Sequence, residues 1–257
     1  MAPYDCLGTI CLVKFPRGTK LREKKGFAAL FMREHPRITT VLEKTGKISG
    51  RLRTPTSRWL GGEKTKEALY AENGCVFRLN VDSCYFSPRL AEERKQTASM
   101  VKKGERVLVL CGGVGPFAVV IAKAGKATEV VSVELGKEPS RYALDNVKRN
   151  KVRVEVVQGD VKKVLPRFVK ARRVFDRIVM ARPNLTDTFL TPTLAVARKG
   201  TMIHYYGFCH EDGLEGMKTA LLVEGKKAGR KLQIQGVKKA GDIGTRKYRY
   251  RIDFVVR

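Results

Sequence analysis

Arg106-Val-Leu-Val-Leu-Cys-Gly-Gly-Val-Gly-Pro-Phe117 is the stretch that decides the fold. The apolar run over 107–110 has the length of a buried strand and stops at a glycine-rich turn. Phe117-Ala-Val-Val-Ile-Ala-Lys123 then reads as the start of a helix. Strand, tight turn and helix are the means by which an α/β sheet holds an adenosine-bearing ligand. Gly112, Gly113 and Gly115 lack a Cβ, so they admit backbone close to a ligand and are able to take positive φ.

Strand and helix alternate downstream of the turn. Strands are expected over 129–134, 152–158, 175–180 and 201–206, and helices over 138–150, 161–169 and 214–228. Two final strands, 232–238 and 248–256, are joined by Ala240-Gly-Asp-Ile-Gly244. Alternation that ends in two successive strands fits a doubly wound sheet closed by a hairpin. A helix over 90–101 leads into the glycine-rich strand. The first ninety residues read differently, with a strand over 7–15, a short helix over 26–33 and a strand over 37–42. Residues 75–81 alternate as a half-buried strand after an Asn73-Gly74 turn. We therefore expect a small α+β domain over 1–90 and an α/β domain over 91–257.

The 257 residues carry 52 Lys+Arg against 25 Asp+Glu, a formal charge of +27. An excess of this size, spread along the chain, points to a folded basic surface that captures polyanions, with nucleic acid first and an anionic membrane second. A hydrophobic content of 43% against 30% charged excludes a disordered chain. The six cysteines form no C-x-x-C pair and the chain has three histidines, which argues against a zinc site and for thiols in a reducing compartment. No apolar run reaches membrane-spanning length and no signal-peptide pattern opens the chain. The cytoplasm and the mitochondrial matrix both remain open, and a monomer is the default.

Glu134 closes the second strand, where a carboxylate can accept the ribose hydroxyls of an adenosine in NAD and S-adenosylmethionine (SAM) enzymes alike. A solvated strand-end carboxylate is the plainer alternative. Asp160 follows the third strand, within reach of an adenine edge. The turn reads G-x-G-P-F, with Ala118 where a pyrophosphate-binding turn has its third glycine. SAM carries no pyrophosphate, so the shorter turn and the closing hairpin favour SAM over NAD.

The segments Val41-Leu-Glu-Lys-Thr-Gly46, Glu63-Lys-Thr65, Glu72-Asn-Gly-Cys75, Tyr85-Phe-Ser-Pro-Arg-Leu90, Gly113-Val-Gly-Pro-Phe117 and Ile203-His-Tyr-Tyr206 run in one order along almost the whole chain. In that order they resemble the tRNA (guanine-37-N1)-methyltransferases, which act beside the anticodon. The resemblance implies a class I SAM-dependent methyltransferase fold, a Rossmann-like seven-stranded sheet ending in an antiparallel hairpin, behind a small α+β domain that positions RNA. The family's extra N-terminal domain, which reads the tRNA elbow, has no counterpart in the matching segments. Catalytic roles are implied for Glu93 as the base that removes the guanine N1 proton, Arg53 as the cation on O6, and Arg89 and Tyr85 in the same motif. The implied cofactor-binding residues are Cys111, Gly112, Gly113, Gly115, Phe117, Glu134, Asp160, Ala181 and Pro183. A carboxylate for the proton and a guanidinium for the oxygen meet the two needs of guanine N1 chemistry. Without the resemblance, Arg89 and Glu93 read as an i, i+4 surface ion pair.

Three departures accompany the resemblance. Ala181-Arg182-Pro183-Asn184 stands where the family has Asn-Leu-Pro or Asn-Pro-Pro, Val109 stands where it has an acid, and Glu92-Glu93 is a doubled acid. Two further functions are therefore carried alongside methyl transfer. One is a weak or inactive relative that holds structured RNA, such as ribosomal RNA or an assembly intermediate. The other is aminocarboxypropyl transfer from SAM to tRNA position 37 in wybutosine synthesis. Trp59 is the favoured aromatic RNA contact. Alternation places Tyr248 and Tyr250 on one strand face, more consistent with packing.

Overall fold

The computed structural model describes residues 2–46, 56–181 and 185–257. The chain opens with β1 (Tyr4–Leu7) and β2 (Ile10–Val13), then α1 (Leu21–Glu34), β3 (Thr40–Lys44) and β4 (Ser57–Gly62). The strands pair in the order β1-β2-β3-β4, and α1 packs on them through Ala28 and Phe31. The single strand expected over 7–15 is a hairpin instead. Gly8 turns the chain at φ 58°, and an added Cβ there would meet the Leu69 carbonyl oxygen at 1.9 Å. Apolar residues on both sides of the turn make the two strands read as one run.

β5 (Glu67–Glu72) and β6 (Cys75–Asn80) form a two-stranded hairpin. Asn73 and Gly74 both take positive φ, 50° and 69°, as a two-residue hairpin turn demands. The chain continues through α2 (Ala91–Ser99), β7 (Arg106–Leu110), α3 (Pro116–Lys123), β8 (Glu129–Glu134), α4 (Lys137–Arg149), β9 (Glu155–Gln158), α5 (Val161–Lys170), β10 (Phe175–Met180) and α6 (Leu190–Leu194). It ends with β11 (Ala197–His210), α7 (Leu214–Lys227), β12 (Leu232–Gly244) and β13 (Lys247–Val256). These seven strands, β7 to β13, form one sheet in the order β12-β13-β11-β10-β7-β8-β9. β13 runs antiparallel to both of its neighbours, whereas β11, β10, β7, β8 and β9 are mutually parallel.

Side-chain alternation along β7 builds the core on both faces. Leu108 and Leu110 join one buried cluster with β10, β11 and α5, while Val107 and Val109 join another with α3. β12 runs further than expected, because residues 240–244 belong to the strand. Register shifts between Lys239/Gly241 and Asp242/Gly244 absorb extra residues in its outer half.

Two asparagines one helical turn apart, Asn146 on α4 and Asn150 at its C-cap, hold the outer edge of β6. Asn150 accepts from the Val76 N–H at 2.8 Å and donates to the Val76 carbonyl at 2.7 Å. Asn146 does the same for Arg78, at 2.7 and 3.1 Å, and also donates to the Val114 carbonyl within the glycine turn at 3.0 Å. The β5–β6 hairpin thus contacts both regions expected from the sequence. Cys75 and Phe77 pack with Val107 and Val109, while Ala68 and Leu79 pack with Leu7 and Leu42.

Candidate active site

A cleft opens at the carboxyl ends of β7, β8 and β10, where parallel α/β sheets place their ligands. The glycine turn forms its floor. Gly113 and Gly115 take φ of 57° and 85°, but the first left-handed residue of the turn is Cys111, at 55°. Gly112 is not left-handed; its missing side chain serves space. A Cβ there would fall 2.1 Å from Ser132 Oγ on the neighbouring strand. That hydroxyl is buried and has no hydrogen-bond partner. The Gly115 carbonyl accepts from Val119 at 2.9 Å and so begins α3, with Pro116 in its first turn.

Glu134 faces the turn from the end of β8. Its Oε2 accepts from the Gly113 N–H at 2.8 Å and its Oε1 from the Gly136 N–H at 2.7 Å. Burial pushes its pKa up, opposed by the backbone N–H groups of Gly136, Gly113 and Leu135. The solvated strand-end alternative does not hold, since this carboxylate is buried. Asp160 caps α5 by accepting from the Lys162 N–H at 2.9 Å, and it lines the cleft beside Val161. Cys111 and Phe117 line it too, and so does Ala181, which offers only a methyl group. Pro183 and Arg53 lie outside the described residues.

The far wall carries Tyr85, Phe208 and Arg249. The Arg249 Nη2 donates to the Tyr85 hydroxyl at 3.3 Å, and its guanidinium lies 5.1 Å from the centre of the Phe208 ring. Arg94, on the same wall, is buried and held by both carboxylate oxygens of Glu72.

Glu93 and Arg89 are not brought together. Arg89 sits in the 3-10 turn ahead of α2, is 70% exposed and pairs with Asp5 at 2.7 Å. It lines a second groove that adjoins the cleft. Glu93 is 4% exposed and stands behind Tyr206, whose hydroxyl donates to Glu93 Oε1 at 3.0 Å. Arg251 donates to the same oxygen, and Lys238 donates to Oε2 at 3.0 Å. The i, i+4 pairing is therefore absent: each residue has partners elsewhere. Of the doubled acid, Glu92 points to solvent and Glu93 inward.

Sequence reasoning missed Arg249, Phe208 and Tyr206, which come from strands that only the folded sheet brings beside Tyr85. Trp59 is half-buried; its indole N–H donates to the Glu63 carbonyl at 3.2 Å. Tyr250 is buried and Tyr248 packs on the same cluster. Among the described residues no group of three or more His, Cys, Asp or Glu that could hold a metal ion occurs.

The strand order, with β13 antiparallel beside β11, defines a class I methyltransferase fold. Within that class the chain belongs to the TRM5/TYW2 methyltransferase family, whose domain model matches residues 68–232. It is 30% identical to the tRNA (guanine(37)-N(1))/4-demethylwyosine(37)-methyltransferase Taw22 of Nanoarchaeum equitans, over 97% of this chain and 98% of that one. It is 34% identical to the tRNA (guanine(37)-N(1))-methyltransferase Trm5b of Pyrococcus abyssi, over 98% of this chain and 74% of that one. The crystal structure of Trm5b superposes with a TM-score of 0.83 at 32% identity, over 99% of this chain and 74% of that one. A tRNA(Phe) (4-demethylwyosine(37)-C(7)) aminocarboxypropyltransferase of Methanocaldococcus jannaschii is 32% identical over 65% of each chain.

Proposed function

We propose that this protein is a SAM-dependent tRNA methyltransferase that acts on N1 of guanine at position 37. The observation that carries the reading is the pairing of the glycine turn with Glu134, anchored by two backbone N–H groups at the strand end. The residues present fit the cofactor. A carboxylate has about four acceptor positions, so Glu134 keeps capacity for a ribose hydroxyl beyond its backbone amides. Asp160 supplies a second carboxylate, Leu135 and Val161 supply apolar walls, and the turn exposes backbone. When bound, SAM supplies an activated methyl group on its sulfonium.

The remaining work falls to the protein. Guanine N1 must lose its proton, and Glu93 is the carboxylate assigned to accept it. For this Glu93 exchanges its contacts with Tyr206, Lys238 and Arg251 for the substrate N1–H when RNA docks. General-base help of this kind contributes roughly 10²–10⁴-fold. Arg53 and Tyr85 complete the catalytic set, and Arg89 serves the adjoining groove. Residues 1–90 position the RNA and residues 91–257 hold the cofactor. The basic surface supplies phosphate contacts, with affinity that falls steeply as salt rises. The protein works as a monomer in the cytoplasm or the mitochondrial matrix. Among the described residues no helix is long and apolar enough to cross a membrane.

Aminocarboxypropyl transfer is the second reading, supported by Ala181, which cannot make the amide hydrogen bonds of the family's asparagine. The greater share of this chain matched by the guanine-N1 enzymes favours methyl transfer. Incubation with unmodified tRNA bearing guanine 37 and labelled SAM, read by mass spectrometry, separates the two products. Tight RNA binding with no product would instead support the RNA-holding relative.

A further inference from the structure

Among the described residues, the cations on the walls of the cleft and the adjoining groove are matched to carboxylates, with one exception. Arg94 is held by Glu72, while Lys44 and Arg89 share Asp5. Arg249 lines both spaces and forms no salt bridge with any described carboxylate. Arg249 is half-buried; its guanidinium lies against Phe208, its partner in the β11–β13 ladder, and makes one long hydrogen bond to Tyr85. A guanidinium carries five N–H groups in a fixed fork. Nearly all of that capacity is unused, at a place where an unmatched charge loses hydration and gains little in return.

The position indicates which molecule supplies the missing anion. Glu134 sits on β8 and Arg249 on β13, four strand spacings apart, or roughly 19 Å at about 4.8 Å each. Arg249 is therefore at the end of the cleft remote from Glu134, where the cleft joins the groove lined by the amino-terminal strands. With the RNA positioned by residues 1–90, as proposed above, its base reaches the cofactor across that junction.

We infer that Arg249 receives the target nucleotide, donating its free N–H groups to an anionic oxygen of that nucleotide. The inference rests on the proposed function for the identity of the ligand. Two oxygens of the nucleotide share this chemistry. Guanine O6 takes up negative charge as N1 gives its proton to Glu93, and the phosphate beside the base carries charge throughout. A fork of parallel N–H groups suits either.

Arg249→Gln and Arg249→Lys, each checked for an unchanged melting temperature, test the assignment with unmodified tRNA bearing guanine 37. If O6 is the partner, Arg249→Gln lowers single-turnover methyl transfer at saturating RNA by about 100-fold, as loss of one donor to a developing anion does. The pH profile of that step then shifts to higher pH, and RNA affinity is retained. If the phosphate is the partner, RNA affinity falls and the slope of log affinity against log salt drops by about one, with the saturated rate retained. In either case Arg249→Lys keeps more function than Arg249→Gln, because charge remains while the fork is lost. The assignment is overturned if rate, RNA affinity and salt slope are all unchanged. It is equally overturned if the loss is confined to SAM affinity measured by calorimetry without RNA, which would place the guanidinium on the cofactor. A wild-type protein that transfers no methyl group refutes the proposed function instead, and the RNA affinity and salt slope then decide Arg249 by themselves.

Discussion

Arg251 on β13 donates to Glu93 on α2, a buried ion pair between residues 158 positions apart. Arg251 also reaches Asp253 at 3.1 Å, and Asp253 accepts from His204 Nδ1 at 2.7 Å. The His204 Nε2 lies 2.6 Å from Arg177, which must donate, so the imidazole is neutral and carries its proton on Nδ1. Glu93 thus stands at one end of a polar chain that crosses β13, β11 and β10.

Glu93→Gln is expected to lower methyl transfer by roughly 10²–10⁴-fold at saturating tRNA and SAM. The same change should lower thermal stability, because it leaves Lys238 and Arg251 facing an uncharged group. Tyr206→Phe removes the hydroxyl in front of Glu93 but keeps the carboxylate, and transfer should persist within about tenfold, or about 1.4 kcal/mol. Equal losses in the two variants would remove Glu93 as the proton acceptor.

Glu134→Gln should weaken SAM binding by about 10–100-fold, the value of hydrogen bonds to a charged acceptor. The amide would also set an N–H group against the Gly113 or Gly136 N–H. Burial raises the pKa of Glu134 above its ordinary 4.5. A ribose hydroxyl prefers the ionised acceptor, so SAM affinity should fall as pH drops through that raised value. Calorimetry across pH checks both statements, and a Glu134→Gln protein with wild-type affinity would contradict them.

Gly112 and Ser132 compete for one space. Ser132→Ala removes an unpartnered buried hydroxyl and should be neutral or stabilising by up to about 1 kcal/mol. Gly112→Ala should destabilise by about 1–3 kcal/mol through overpacking. In the Ser132→Ala background most of that loss should vanish, giving a coupling energy that a double-mutant cycle in urea measures directly. Additive effects would show that the turn relaxes elsewhere.

His204 is 1% exposed, and burial holds its pKa below the ordinary 6.5 despite the Asp253 carboxylate. The folded state therefore binds this proton less readily than the unfolded state. Stability from this group is complete above about pH 6.5 and is lost as pH falls through the folded pKa, by up to about 1.4 kcal/mol per unit. His204→Gln can keep both hydrogen bonds without titrating. Urea midpoints at pH 7.5 and 5.5 should differ less in His204→Gln than in the wild type.

The end of the cleft formed by the glycine turn and Glu134 is legible in the sequence because it is local. The glycine turn and Glu134 lie within 24 positions of one another, and each closes a strand whose apolar run can be read directly. Strand bounds at Glu129–Glu134 and Phe175–Met180 agree with expectation for the same reason. What escaped depends on distant segments. Gly8 looked like part of a strand, because its role as a turn shows only where the backbone meets Leu69. Gly112 is able to take positive φ, yet Cys111 does so instead, and Ser132 explains the glycine. Arg89 and Glu93 are neighbours by helical spacing, but Asp5 and Arg251 claim them from opposite ends of the chain. Arg249 read as one more basic residue in a basic protein. Its lack of a carboxylate partner among the described residues is a property of the packed walls and leaves no trace in its own neighbourhood.

Asn146 and Asn150, at the carboxyl end of α4, bear on what the outer edge of β6 offers to other chains. An outer strand such as β6 exposes a row of backbone donors and acceptors, an invitation to any other chain able to add a strand. At Val76 and Arg78 those groups are already occupied by Asn150 and Asn146. At these two positions the hairpin edge offers no free backbone group to an added strand, although among the described residues no third strand covers it.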